Sequence, residues 1–330
     1  MSSLSEQTIQ AKPSVRRGVQ TWKVLPILKG LLTWLPILNA WRKHRASTGG
    51  TDTPRYCYSV WLRHLTILHP YGFRIADAHV GELGPGDSIG IGLAALLSGA
   101  AQYVGLDIVP FSAKAPLEKI FDELVRLYSR RDSIPNNYEF PRLRPTLDSY
   151  EFPVHLIDVA DFSTRADMIR SEVGTGLNRN QIIKYQAPWT SPNDLALGSL
   201  DLIFSQAVLE HVDNLEETYL AMSSWLKPGG YASHVIDFSA HYLSPFWNGH
   251  WAYSDLQWRL VRGRREFLLN RESLNKHLEC ARKAGFEVLL LTRDYADDGL
   301  HTQSLFKPFR LLDIEDARTR GAVIVLHKRQ

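Results

Sequence analysis

Apolar and polar positions divide the chain into runs of two kinds. Short runs of strand length, rich in Ile, Val, Leu and aromatic residues, fall at 78–83, 102–107, 181–186, 286–292 and 322–327. Stretches with helical spacing fall at 55–69, 88–98, 117–128, near 163–173, at 215–226 and at 271–284. The run at 215–226 shows the period plainly, with apolar residues at Leu215, Tyr219, Met222, Trp225 and Leu226. Strands that alternate with helices predict an α/β fold with a parallel sheet and helices on both faces. Two long intervals break the alternation. One spans about 112–180 and is punctuated by Pro135, Pro141, Pro145 and Pro153; the other spans about 239–270. Insertions of this length in a compact domain are usually functional or form a subdomain, and both are expected to shape a lid over a pocket. Thr48–Pro54 is turn-rich and divides an N-terminal arm, 1–54, from the domain at 55–330. The helix at 55–69 is expected to cover the entrance to the ligand site.

The chemistry begins where the first strand ends. Glu82-Leu83-Gly84-Pro85-Gly86-Asp87-Ser88 leads from that strand into the apolar helix, and the next strand ends at Asp107, 21 residues after Gly86. Gly84 and Gly86 let the backbone turn sharply and approach a ligand closely. The helix that follows is expected to aim its first N–H groups at the ligand. A carboxylate at the end of the second strand is placed to hold a ribose diol. These features predict a nucleoside-type cofactor. A dinucleotide needs a third glycine, and that position holds Ile89.

The acidic residue closing the strand before the turn resembles motif I of the class I S-adenosylmethionine-dependent methyltransferases, in its E-x-G-x-G form. A second set of residues carries the resemblance further. Ser199–Val212 contains Leu209-Glu210-His211-Val212 and is similar to that family's fourth strand and the loop after it. Leu226-Lys227-Pro228-Gly229-Gly230 is similar to the turn before its fifth strand, here Tyr231–Asp237. The resemblance covers roughly residues 75–330. It implies a seven-stranded Rossmann-like sheet closed by an antiparallel hairpin of 286–292 and 322–327, with a helical N-terminal extension. It also implies S-adenosylmethionine as cofactor and methyl transfer to a small-molecule acceptor. Asp107 would then hold the ribose hydroxyls, Phe111 would lie on the adenine, and Glu82 would face the methionine amino group. Gly84 and Gly86 would pass under the methionine portion, and Ser88 would meet its carboxylate. Ser205 and Gln206 would end the fourth strand beside the reactive methyl. The family's adenine-binding aspartate after strand three is replaced by Gln186-Ala187, so Gln186 is the expected substitute. An alternative places strand three at Val154–Val159, which would make Asp158 or Asp161 that contact.

An alcohol acceptor needs a general base, and histidine titrates in the useful range. His241, His250, His211 and Asp237 all follow predicted strand ends on the crevice side, with His241 the first choice and His250 the second. No metal site is expected, because His241 and His250 have no second pair of ligands at a recognisable spacing. Trp247 and Trp251, with Arg262, Arg264 and Arg265, suggest an acceptor with flat apolar faces and an anionic part, such as a saccharide or glycolipid. Two other classes of function stay open at this point: a nicotinamide-dependent oxidoreductase, and a non-catalytic module that binds the cofactor.

Charge changes the picture only at the N-terminus. The net charge is +3 in 330 residues, yet residues 1–50 hold eight Lys/Arg against Glu6 alone. No RNA-binding aromatic motif or zinc-finger spacing accompanies them, so nucleic acid is not an expected partner. Inside this basic segment Val24–Trp41 is apolar but interrupted by Lys29, Gly30 and two prolines, which argues against a spanning helix or a secretory signal. Two readings remain. Residues 12–45 either rest on an anionic membrane surface, with Trp22, Trp34 and Trp41 at headgroup depth, or pack on the domain or a sister subunit in a homo-oligomer. Two cysteines, Cys57 and Cys280, fit a reducing compartment, so the expected location is cytoplasmic, with peripheral contact at the inner membrane face.

Overall fold

A computed structural model describes residues 21–35, 50–110, 112, 115–157, 162–175, 182–189, 191–265 and 267–329. Seven strands form one sheet: β1 (His79–Leu83), β2 (Gln102–Leu106), β3 (Ile183–Gln186), β4 (Leu200–Gln206), β5 (Leu226–Asp237), β6 (Phe286–Tyr295) and β7 (Thr319–Lys328). Their order is β3-β2-β1-β4-β5-β7-β6. The first five run parallel, and β7 lies antiparallel between β5 and β6. The order reverses between β1 and β4, which opens a crevice beyond the carboxyl ends of those strands.

Nine helices surround the sheet: α1 (Val24–Leu32), α2 (Pro54–Leu68), α3 (Gly90–Ser98), α4 (Leu117–Arg130), α5 (Phe162–Thr175), α6 (Leu215–Trp225), α7 (Asp255–Arg262), α8 (Leu274–Lys283) and α9 (Ile314–Arg318), counted among the described residues. Each strand pairing carries its helices to one side or the other, and two apolar cores result. One joins the sheet to α2, α3, α4 and α5; the other joins it to α6 and α8. α3 has no polar face and is buried along its whole length, as a helix apolar on all sides must be. Gly92 is required there: a Cβ would stand 2.2 Å from the Tyr103 ring. α4 instead buries one stripe, Ile120, Phe121, Leu124, Leu127 and Tyr128, at the helical period.

Two expectations change, and the choice of third strand is decided in favour of 181–186. α2 is not a cover but a core element, with Cys57 to Leu65 all buried. Its Arg63 guanidinium donates to the carbonyls of Pro135, Leu143 and Pro145, which ties the 112–180 interval to the core. The described parts of that interval therefore pack beside α2 and α3 rather than over the crevice. The strand preceding β4 in the chain is Ile183–Gln186, and Val154–Leu156 is a short 3-10 turn. The alternative adenine contacts Asp158 and Asp161 lie outside the described residues.

α1 docks on the second insertion. Gly30 sits so close to α7 that a Cβ would stand 1.9 Å from the Leu260 carbonyl oxygen. Trp22 meets Tyr253 edge-on at 5.3 Å, and Lys23 Nζ donates to the Ala252 carbonyl. The other side of the segment, with Val24, Leu25, Leu28, Leu31, Leu32, Trp34 and Leu35, is exposed. Among the described residues no helix is long and apolar enough to cross a membrane.

Candidate active site

The glycine turn is built by backbone geometry. Gly84 has φ +62° and Gly86 φ +72°, the left-handed region that a side chain strains. Gly84 N–H donates to the Leu106 carbonyl at 2.8 Å, and Gly86 N–H donates to Asp107 Oδ2 at 3.1 Å. A Cβ on Gly84 would also stand 2.7 Å from the Val208 side chain, so the loop after β4 closes directly onto the turn. Asp107 accepts further N–H bonds from Ile108 (2.7 Å) and Val109 (3.4 Å). Burial raises its pKa, and these three N–H groups oppose that shift. The carboxylate is thus fixed at the tip of β2 with acceptor capacity left for a diol. That arrangement fits an adenosyl ribose.

Glu82 is enclosed at the end of β1. Its Oε2 accepts from the Tyr103 hydroxyl at 2.6 Å, and burial pushes the carboxyl up to about 8 against that hydrogen bond. Ser88 is likewise occupied: its hydroxyl donates to the Thr51 carbonyl and its N–H to Thr51 Oγ1 at 3.1 Å. Gly90 N–H donates back to Ser88 Oγ at 3.0 Å. The start of α3 therefore spends part of its donor set on the linker and on itself. Gln186 is exposed, with its amide donating to the Pro188 carbonyl at 3.2 Å, while its own carbonyl accepts from Asp107 N–H at 3.0 Å. Phe111 lies outside the described residues.

At the end of β4 the two expected residues turn away from the crevice. Ser205 is fully buried with Oγ 2.7 Å from His234 Nδ1, and the Gln206 amide oxygen is 3.2 Å from His64 Nε2. Ala207, next in the chain, is held at φ +54°. A cavity of about 360 Å³ opens beyond this point, lined by Ile108, His211, Asp213 and Phe267. It joins the tip of β2 to the loop after β4. A second cavity of about 270 Å³ lies among Gly72–Ala78 and Lys227–Tyr231, at the opposite, amino ends of the strands. The first is the candidate site, since ligands of open α/β sheets bind at the carboxyl ends.

The four candidate bases separate clearly. His211 Nδ1 lies 2.9 Å from the Phe267 carbonyl, which can only accept, so the proton is on Nδ1 and the lone pair on Nε2. Burial, with His241 beside it, holds that ring down to about 4. His241 packs edge-on against His211 at 5.3 Å, with Nε2 3.7 Å from Asp237 Oδ2 and a side chain 33 % exposed. Its φ of +50° marks a second strained non-glycine residue at the same rim. His250 is different: it is buried against Trp251, and burial and Arg271 hold it down to about 3. It does not line the cavity.

Spacing missed two residues, and it gave a third, Glu210, no role beyond its place in Leu209-Glu210-His211-Val212. Ile108 and Phe267 wall the cavity, and Glu210 is buried beside His211 and His241. Only Ile108 had a signal, its place directly after Asp107. The expected aromatic and arginine platform is engaged with other parts of the chain, although Asp213, the partner of Arg262, lines the cavity and Arg264 is exposed. Trp251 is fully buried on Phe309, Arg262 pairs with Asp213, Arg264 stacks on Trp34, and Arg265 donates to the Pro26 carbonyl.

The 3-2-1-4-5-7-6 sheet, the glycine turn and the carboxylate at the tip of β2 together define a Rossmann-like fold of the methyltransferase type. The sequence profile of the methyltransferase-domain family matches residues 82–291, and the chain belongs to that family, in its class I S-adenosylmethionine-dependent form. S-adenosylmethionine is its cofactor. Solved structures similar to it include the S-adenosylmethionine-dependent methyltransferase of Mesorhizobium loti, 13 % identical over 84 % of this chain and 100 % of that one, with a TM-score of 0.42. Another is the SAM-dependent methyltransferase of Methanosarcina mazei, 13 % identical over 80 % and 97 %, with a TM-score of 0.40. No curated protein matches the chain in sequence.

Proposed function

We propose that the protein methylates an oxygen atom of a small-molecule acceptor, seated in the cavity between Ile108 and His211. The observation that carries this reading is the cavity itself, which runs from the carboxylate tip of β2 to the histidine rim after β4 and β5. The cofactor supplies an activated methyl on a sulfonium. The chain then has to hold, orient and exclude water. Asp107 holds the ribose diol, with charged hydrogen bonds worth roughly 1.5–3 kcal/mol each. Gly84 and Gly86 let the backbone lie close under the methionine portion, and Ile108 offers an apolar wall. Fixing the acceptor oxygen at near-attack distance supplies ~7–11 kcal/mol of the barrier reduction. The acceptor proton leaves toward His211, His241 and Asp237, the polar groups grouped at that rim. Ser88, Ser205 and Gln206 act by shaping the turn and strand end.

A saccharide is the first acceptor class to test, although Trp251 and the three arginines no longer speak for it. A turnover screen over hydroxyl-bearing acceptors, with S-adenosylhomocysteine release as the readout, checks the reading. Release with amine acceptors alone would overturn the oxygen assignment.

A second proposal concerns α1. Its docked face holds it to the domain, and its free face is apolar beside a basic chain segment, which supports peripheral contact with anionic membrane through residues 12–45. Co-sedimentation with anionic vesicles, lost on Leu25→Ser with Leu28→Ser, is the expected result; equal partition of both proteins would reject it.

A further inference from the structure

The rim after β4 and β5 holds a group of side chains that methyl transfer by proximity does not need. Glu210, His211 and His241 each offer a donor atom, and these atoms all lie within 4.8 Å of one another. Glu210 is 3 % exposed, and neither carboxylate oxygen has a partner at full hydrogen-bond geometry; the backbone N–H groups of Glu210 itself and of Asp237 lie near enough to offset only part of the cost of its burial. A bare buried carboxylate is costly unless a proton or a cation neutralises it. His211 is oriented as metal-bound imidazoles usually are, with one ring N–H given to a backbone carbonyl and the other nitrogen left bare. Asp237 adds a second carboxylate beside His241, at 3.7 Å. The loop carrying Glu210 is clamped from the second insertion, since Asn270 donates to the carbonyls of Leu209, Glu210 and Val212. His241 keeps its φ of +50° at this same spot, a conformation uncommon outside glycine.

We propose that Glu210, His211 and His241 form a binding site for a divalent transition-metal ion, with open positions facing the acceptor cavity. Two imidazoles and one carboxylate suit Zn²⁺, Mn²⁺ or Co²⁺, whereas Mg²⁺ and Ca²⁺ favour oxygen donors alone. Three protein ligands leave positions for oxygens of the acceptor, and His211 already lines that cavity. The inference rests on the methyltransferase reading and adds a requirement for acceptor binding: a hydroxyl with a neighbouring oxygen, able to reach the ion. With the ion bound, the ligating nitrogens of His211 and His241 no longer take the acceptor proton, and Asp237 is the rim group that does.

Co²⁺ is a suitable probe, because its visible bands report nitrogen ligation. The full chain, freed of metal with a chelator, is titrated with Co²⁺ and separately with S-adenosylhomocysteine. The expected result is saturable Co²⁺ binding with visible bands. Glu210→Gln, His211→Ala and His241→Gly should each weaken it by more than the roughly 10–100-fold that loss of an outer partner costs. His241→Gly is the decisive variant, since glycine accepts the local backbone and the fold should survive. Unchanged S-adenosylhomocysteine binding shows that it has. No bands with the parent protein, or equal Co²⁺ binding by His241→Gly, would overturn the site. If S-adenosylhomocysteine binds while Co²⁺ does not, this inference alone fails; if neither binds, the methyltransferase reading fails with it.

Discussion

Asp107 and Glu210 are both buried carboxylates at the same end of one sheet, yet one is well supplied with backbone N–H donors and the other is not. Asp107 accepts three backbone N–H bonds, from Gly86, Ile108 and Val109, and stands ready for neutral hydroxyls. Glu210 has no partner at full hydrogen-bond geometry, and burial, with the Asp237 carboxylate nearby, raises it well above the usual carboxylate range although the N–H groups of Glu210 and Asp237 oppose that shift. The difference matches the ligands proposed for the two halves of the crevice. A ribose diol needs a fixed acceptor whose charge the protein already carries. The histidine rim instead holds a charge that an outside cation or proton must balance.

Breaking the cofactor half should cost most. Gly84→Val places a β-branched residue at φ +62° against Val208, so loss of S-adenosylhomocysteine binding and a large fall in melting temperature are expected. Left-handed strain alone costs roughly 1–2 kcal/mol before the collision is counted. Full binding by this variant would separate the turn from the cofactor.

The rim should affect turnover rather than cofactor affinity. His241→Gly is expected to lower turnover by roughly a hundredfold or more, within the range of a positioned proton-transfer or ligating group, with S-adenosylhomocysteine affinity unchanged. His250→Gln should instead lower stability and leave turnover nearly intact, because His250 is sealed behind Trp251. The reverse pattern in steady-state assays would exchange their roles.

A smaller effect comes from buried histidines away from the rim. Burial holds His64 down to about 4 and His234 and His277 to about 3, from 6.5. Between those values and pH 6.5 the unfolded chain takes up protons that the folded chain refuses. Stability present above pH 6.5 is therefore lost as pH falls. Melting temperature should be level near neutrality and fall toward pH 4, with a shallower fall in His277→Gln; a flat profile would count against it. Smallest of all is the effect of Leu25→Ser with Leu28→Ser, which removes exposed apolar surface and should leave turnover on soluble acceptors unchanged.

The two halves also differed in how far they could be read along the chain. The cofactor half is local: Glu82, Gly84, Gly86 and Asp107 fall within one strand–turn–helix–strand unit, where spacing translates directly into position. The rim is assembled from β4, β5 and an insertion, with His211 and His241 on separate loops, so their convergence has no one-dimensional signature. Burial misled in the same way. Trp251 and Arg265 looked like ligand groups in composition, but packing used them to join the insertion to Phe309 and α1. The 55–69 helix was read correctly as a helix, while its place inside the core follows from Arg63 and the carbonyls around it.

Calorimetric titration of S-adenosylhomocysteine into the parent protein and Asp107→Ala tests the central assignment most directly. The parent should bind, and loss of two charged hydrogen bonds of roughly 1.5–3 kcal/mol each should weaken the variant by about a hundredfold or more. Equal affinity in the two proteins, or none in either, would contradict it.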